Sequence, residues 1–166
     1  MSSAQLNLKY ELQMAKQIEA AFGVTYVSYY GDYTTFDGYI VRDDAKVAEA
    51  ELKYRWFTCT KYREVMLDAQ KWRALRKLAN GYYPTFLFYG FGCGHWALAK
   101  VPGEHKPDPY LCKGYRMVTP NALSGSYNAG IERECAMLDL QGFTFQAGVL
   151  FGDPQYDCGQ FYGGDE

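Results

Sequence analysis

Val47-Ala48-Glu49-Ala50-Glu51-Leu52-Lys53-Tyr54-Arg55-Trp56 is the stretch on which the reading of this chain turns. A β-strand points successive side chains to opposite faces. Ala48, Ala50, Leu52, Tyr54 and Trp56 then share one apolar face, and Val47, Glu49, Glu51, Lys53 and Arg55 share the other. Such a row of charges on a strand otherwise fit for burial has two readings. It is either an exposed surface with its charges paired along it or the floor of a site.

Upstream, residues 36–42 read as a strand closed by Asp43-Asp44, and residues 24–30 as another followed by a turn at Gly31-Asp32. Residues 5–22 read as a helix, with Leu8, Leu12, Ala15, Ile18 and Phe22 at three- and four-residue spacing and Gly23 as its stop. Downstream, Asp68 can cap a second helix whose stripe is Trp72, Leu75, Leu78 and Ala79 and which ends at Asn80-Gly81. Strands follow at 85–89 and 95–101. The glycine-rich run Gly90-Phe91-Gly92-Cys93-Gly94 between them reads as a hairpin turn, because no helix follows to offer a phosphate its N-terminus. The order helix, three strands, helix, two strands predicts an α/β fold with a mixed central sheet flanked by helices. Residues 102–166 are richer in Gly, Pro, Tyr and Asn and read as an extension of the same domain as 1–101. Within that extension short strands are expected at 115–119 and 143–151, a short helix near 130–138, and a loosely held acidic tail from about 153.

The 166 residues suit one domain. No apolar run is long enough for a membrane span. The first residues lack a secretory layout and the five scattered cysteines suit free thiols, so a cytoplasmic protein is expected. The net charge of −2 excludes a protein that coats nucleic acid by charge alone. Its distribution is uneven: residues 53–77 hold eight basic side chains against two acidic ones. This run either presents a basic face to phosphates or is a solvated surface.

Asp37, at the start of the preceding strand, shifts the balance for the polar face. Gly38 beside it is expected to leave open space, and neighbouring strands lie about 4.8 Å apart, so Asp37 and Glu51 can converge on one hard cation. Phosphodiester hydrolysis needs such a centre. Lys53, two residues after Glu51, lands on the same face, where it can orient or activate a water and offset charge in the transition state.

Phe36-Asp37, a 13-residue gap and Glu51-Leu52-Lys53 resemble the D…(D/E)-x-K signature of the PD-(D/E)XK nuclease superfamily. The resemblance spans roughly residues 8–101 and includes the order of elements. It is closest to small phage-encoded nucleases, in which an E-x-K-x-R run (Glu51, Lys53, Arg55) precedes a helix bearing Lys-Trp (Lys71-Trp72). The superfamily's proline before the aspartate is replaced by Phe36. The resemblance implies a restriction-endonuclease-like core with Asp37, Glu51 and Lys53 as catalytic residues. Mg²⁺ or Mn²⁺ would be held by Asp37, Glu51, the Leu52 carbonyl and a carboxylate of the first helix. For that last ligand Glu19 is preferred narrowly over Glu11. Arg55 and Lys71 are expected to contact phosphate, with Lys61 and Arg63 lining the same nucleic-acid cleft, although Lys71 could instead snorkel to water. DNA is the expected substrate, in the host cytoplasm if the protein is phage-encoded, and a homodimer is a further implication. The rival class is a catalytically silent phage factor on the same fold that binds nucleic acid or a host protein. A small-molecule enzyme would need a closed apolar pocket. Cys93, His95, His105 and Cys112 offer zinc-ligand chemistry without a recognised spacing.

Overall fold

The computed structural model of the chain describes residues 3–29, 36–107, 111–119 and 131–146, with the side chains of residues 3, 4, 6 and 7 left aside. The expected turn at 31–32, the far part of the strand expected at 143–151 and the tail from about 153 lie outside these residues.

Among the described residues the fold is α/β with two α-helices and two sheets. Helix α1 (Ser3–Phe22) leads into β1 (Thr25–Ser28), β2 (Gly38–Arg42) and the long β3 (Ala45–Arg55). After β4 (Glu64–Asp68) come α2 (Ala69–Leu78), β5 (Thr85–Phe91) and β6 (Trp96–Lys100). The rest comprises β7 (Cys112–Val118), β8 (Arg133–Asp139), a 3-10 turn (Leu140–Gly142) and β9 (Thr144–Gln146). The main sheet runs β1-β2-β3-β5-β6-β9, with β3 and β5 parallel and the other pairs antiparallel. A three-stranded antiparallel sheet runs β4-β8-β7.

Local chemistry explains the turns. Arg42 pairs with Ala45, and the two residues between them, Asp43 and Asp44, both have positive φ (51° and 62°). A two-residue hairpin loop of this kind matches the strand twist, and aspartate tolerates the left-handed region better than most residues. Asp68 caps α2 by accepting from the Gln70 N–H at 2.9 Å. Arg76 and Lys77 stand at the negative end of its dipole.

The helices cover opposite faces of the main sheet. Met14, Ala15 and Ile18 of α1 pack with Ala48, Ala50, Leu52, Tyr54 and Phe88. Trp72 and Leu75 of α2 pack on the other face with Leu87, Tyr89 and Phe91, joined by Ala136, Leu138 and Leu140. The described helices include none long and apolar enough to cross a membrane.

Several sequence expectations are corrected. Residues 133–139 form a strand, not part of a helix: their apolar run fits either form, and the unpaired edges of β4 and β7 take it up as the middle strand. Strand β4 was not expected; its partner lies 75 residues further along the chain (Glu64 opposite Asp139). On α1 the buried stripe is Met14, Ala15 and Ile18, whereas Leu8 and Leu12 are 56% and 50% exposed. Gly38 does not leave open space. A Cβ there would lie 2.3 Å from the Val27 carbonyl oxygen and 2.7 Å from the Tyr26 hydroxyl.

Since β1 must approach this closely, Gly38→Ala should destabilise the protein by roughly 1–3 kcal/mol, the usual cost of overpacking against rigid neighbours. Urea denaturation measures it, and a midpoint equal to the parental one would mean that β1 moves aside freely.

Candidate functional site

The antiparallel register sets Gly38 opposite Ala50, which brings Asp37, one residue earlier, alongside Glu51. Asp37 makes two bonds to β3. Its Oδ2 accepts from the Leu52 N–H at 2.7 Å, and its own N–H donates to Glu51 Oε2 at 3.3 Å. The Asp37 side chain thus caps the ladder where regular pairing of β2 with β3 ends.

Glu51 has no exposed surface and Glu49 only 7%, so the polar face of β3 is not an exposed row of paired charges. A buried carboxylate is costly unless countercharges meet it. Two do: Lys53 Nζ lies 2.8 Å and Lys71 Nζ 3.2 Å from Glu51 Oε1. Both ammoniums offset its charge, and Lys53 also hydrogen-bonds the Glu51 side chain. Lys71 also lies over the Phe36 ring, 5.6 Å from its centroid. It therefore turns into the site and does not snorkel away. Glu49 has separate partners, an ion pair with Lys46 and the Tyr29 hydroxyl at 2.8 Å.

The first helix supplies a carboxyl, but Glu11 is the one that faces this cluster. Burial lifts its pKa from 4.5 to about 7; Lys53 opposes the shift, and Asp37 and Glu51 add to it. Glu11, Asp37 and Leu52 line a common cavity of about 110 Å³ with Tyr26, Ser28 and Tyr29. Glu19, favoured from sequence, instead accepts from the Tyr26 N–H at 3.0 Å and anchors β1. With Met14, Ala15 and Ile18 turned to the sheet, this rotation of α1 leaves Glu11 on the same cavity as Leu8 and Leu12. Sequence spacing leaves that rotation undetermined, because both glutamates border the apolar stripe.

Burial raises the Asp37 carboxyl above its usual range, against the pull of Lys53 and with a push from Glu51. For Lys53, burial acts downward, but Glu51 and Asp37 outweigh it and hold the ammonium above its ordinary pKa. Three carboxyls thus meet two ammoniums, and two of the three resist ionisation. That surplus of oxygen donors is what a hard divalent cation would relieve, so the donor set fits Mg²⁺ or Mn²⁺.

The basic run disperses. Arg55 donates to the Met66 carbonyl at 2.9 Å and lies over the Tyr89 ring, fastening β4 to β3. Arg73 pairs with Glu134 at 2.7 Å, and Arg76 donates to the carbonyls of Pro102, Gly103 and Lys106. Lys61 and Arg63 are exposed on the β3–β4 loop, Lys61 over the Tyr62 ring and Arg63 3.4 Å from Gln141 Oε1. They do not join the Glu51 cluster.

Of the residues noted for zinc-ligand chemistry, Cys93 and His95 do meet, and the donor that joins them, Cys59, escaped the sequence reading because it lies 34 residues away from Cys93 in the chain. The Cys59 thiol, hydrogen-bonded to Cys93, is the main influence drawing the Cys93 thiol down to about 4 against the effect of burial. His105 and Cys112 do not take part. Neither a scan against protein-family models nor a search of curated proteins gives a match, so the reading of the site rests on this geometry.

Proposed function

We propose that the chain is a metal-dependent nuclease that hydrolyses phosphodiester bonds, with DNA as its substrate, on a restriction-endonuclease-like core of the PD-(D/E)XK type. The observation that supports this most is the meeting of Asp37, Glu51 and Lys53 on two paired strands, with Asp37 bonded to β3 and Lys53 2.8 Å from a fully buried Glu51. A bound Mg²⁺ or Mn²⁺ would supply Lewis acidity and positive charge at the phosphate. Asp37, Glu51 and the Leu52 carbonyl would hold it, with Glu11 replacing Glu19 as the helix carboxylate.

The remaining work falls to the chain's own side chains. Lys53 acts as a hydrogen-bond donor through its ammonium. It orients a water or meets the negative charge that gathers on the phosphate oxygens. Lys71 shares the load on Glu51, which leaves Lys53 able to turn toward substrate without stranding a buried charge. Lys61 and Arg63, exposed at the loop, are proposed as phosphate contacts outside the centre, and Arg55 as one only at the expense of its bond to Met66. The four described cysteines form no disulfide, in keeping with a reducing cytoplasm as the working compartment. A homodimer is part of the same proposal.

The deciding experiment incubates the protein with linear, circular, single-stranded and branched DNA plus Mg²⁺ or Mn²⁺. Asp37→Ala should abolish Mg²⁺ or Mn²⁺ binding by calorimetry, and cleavage with it, while leaving the fold intact. Parental cleavage by that variant would remove Asp37 from the centre. If the parent binds no divalent ion, the cluster is an ionic core and the silent binding factor becomes the better reading.

Lys53→Ala should lower turnover by ~10²-fold or more, the scale of losing one positioned catalytic group, with a much smaller change in DNA affinity. Equal losses in both would make Lys53 an ordinary phosphate contact.

The raised pKa of Glu11 has a consequence for stability. In the folded protein it keeps its proton up to about pH 7, whereas the unfolded chain releases it near 4.5. Folding therefore takes up a proton between these values, and stability falls as pH rises through the window. In chelator, the melting temperature of the parent should drop between about pH 5 and about pH 8, and Glu11→Gln should flatten that drop. Identical profiles would show that Glu11 is not buried as described.

A further inference from the structure

The loop after β3 and the turn between β5 and β6 meet at the C-terminal ends of two parallel strands. A backbone bond ties them together, from the Gly92 N–H to the Phe57 carbonyl at 3.0 Å. Cys59 comes from the first loop, and Cys93 and His95 from the second. Cys59 has no exposed surface and Cys93 only 2%. His95 Nδ1 lies 3.4 Å from Cys93 Sγ and 3.8 Å from Cys59 Sγ, and all three ligand atoms fall within 4.8 Å of one another.

These separations have a simple meaning. Zinc–sulfur bonds of about 2.3 Å and zinc–nitrogen bonds of about 2.0–2.1 Å at tetrahedral angles require S···N edges of about 3.5 Å and an S···S edge of about 3.8 Å. The two observed S···N distances match this edge to within a few tenths of an ångström. The Cys59 N–H also points to Cys93 Sγ at 3.5 Å, the kind of outer contact that steadies a metal-bound thiolate. Burial of both sulfurs argues against a cysteine nucleophile, which must reach its substrate.

We propose that Cys59, Cys93 and His95 bind a zinc ion, with the fourth coordination position left to a water or a further ligand. Two thiolates and an imidazole select a soft or borderline metal over Mg²⁺, so this site and the carboxylate centre do not compete for one ion. Zinc here would join two loops whose cysteines are 34 residues apart and would hold the loop that presents Lys61 and Arg63. The site is independent of the nuclease reading: it would stand if the carboxylate cluster proved inert.

Cobalt spectroscopy on the full, reduced chain tests the proposal. One equivalent of Co²⁺ should give a thiolate-to-cobalt charge-transfer band and tetrahedral visible bands, which Zn²⁺ abolishes and excess Mg²⁺ leaves in place. Cys93→Ser should remove the charge-transfer intensity. His95→Gln should weaken zinc binding by more than the ~10–100-fold that loss of an outer partner causes, and Asp37→Asn should keep the parental spectrum. Because a serine variant can misfold, the titration of the unmodified protein decides alone: no charge-transfer band with its thiols reduced overturns the proposal. So does a band that survives in both Cys59→Ser and Cys93→Ser.

Discussion

A carboxylate with no access to water sits at the centre of this molecule, and most of the arrangement around it follows from the need to neutralise it. Removing the charge of Glu51 from solvent costs several kcal/mol unless opposite charges meet it. Lys53 and Lys71 do so at 2.8 and 3.2 Å. The first comes from the same strand and the second from α2, so the countercharge also fixes where α2 rests across the β3–β5 pair. Asp37 closes the third side through its N–H to Glu51 and its carboxylate to the Leu52 N–H, which sets where β2 begins. Strand, helix and strand start are thereby held to one buried oxygen pair.

The same cluster explains why the charge-rich segment does not produce a uniform basic surface. Lys53 and Lys71 are consumed by Glu51, Arg55 by the Met66 carbonyl, Arg73 by Glu134 and Arg76 by the carbonyls of the segment after β6. Each bond fastens an element that packs against the central sheet. The segment's basic excess therefore serves cohesion near the centre, and Lys61, Arg63 and Lys77 are the members of it that stay exposed away from these bonds.

The two candidate metal centres differ in the chemistry of their donors and in how the fold assembles them. The oxygen cluster is built on neighbouring strands and a helix face, with backbone register doing the positioning. The sulfur–nitrogen cluster is built on loops, tied by a single backbone bond between Gly92 and Phe57. It lies at one end of the parallel strands, whereas the carboxylates lie in the middle of β3. Hard and soft donors are thus separated along one strand pair.

The sequence by itself determined what depends on near neighbours. Alternation in residues 47–56 placed Glu51 and Lys53 on one face, because a strand has period two. Asp68 before a periodic run set the start of α2, because a cap acts on the next two or three N–H groups. The spacing of Asp37 from Glu51 followed from a short hairpin. Only the tertiary structure decided the rest, wherever the partner is remote. The rotation of α1 against the sheet selected Glu11 over Glu19, since both border the apolar stripe and packing alone separates them. Residues 133–139 became a strand because β4 and β7 offered open edges, a long-range pairing that local propensity does not encode. Cys59, Cys93 and His95 met because β3 and β5 run parallel and end side by side, although a helix and more than thirty residues separate the two loops in the chain.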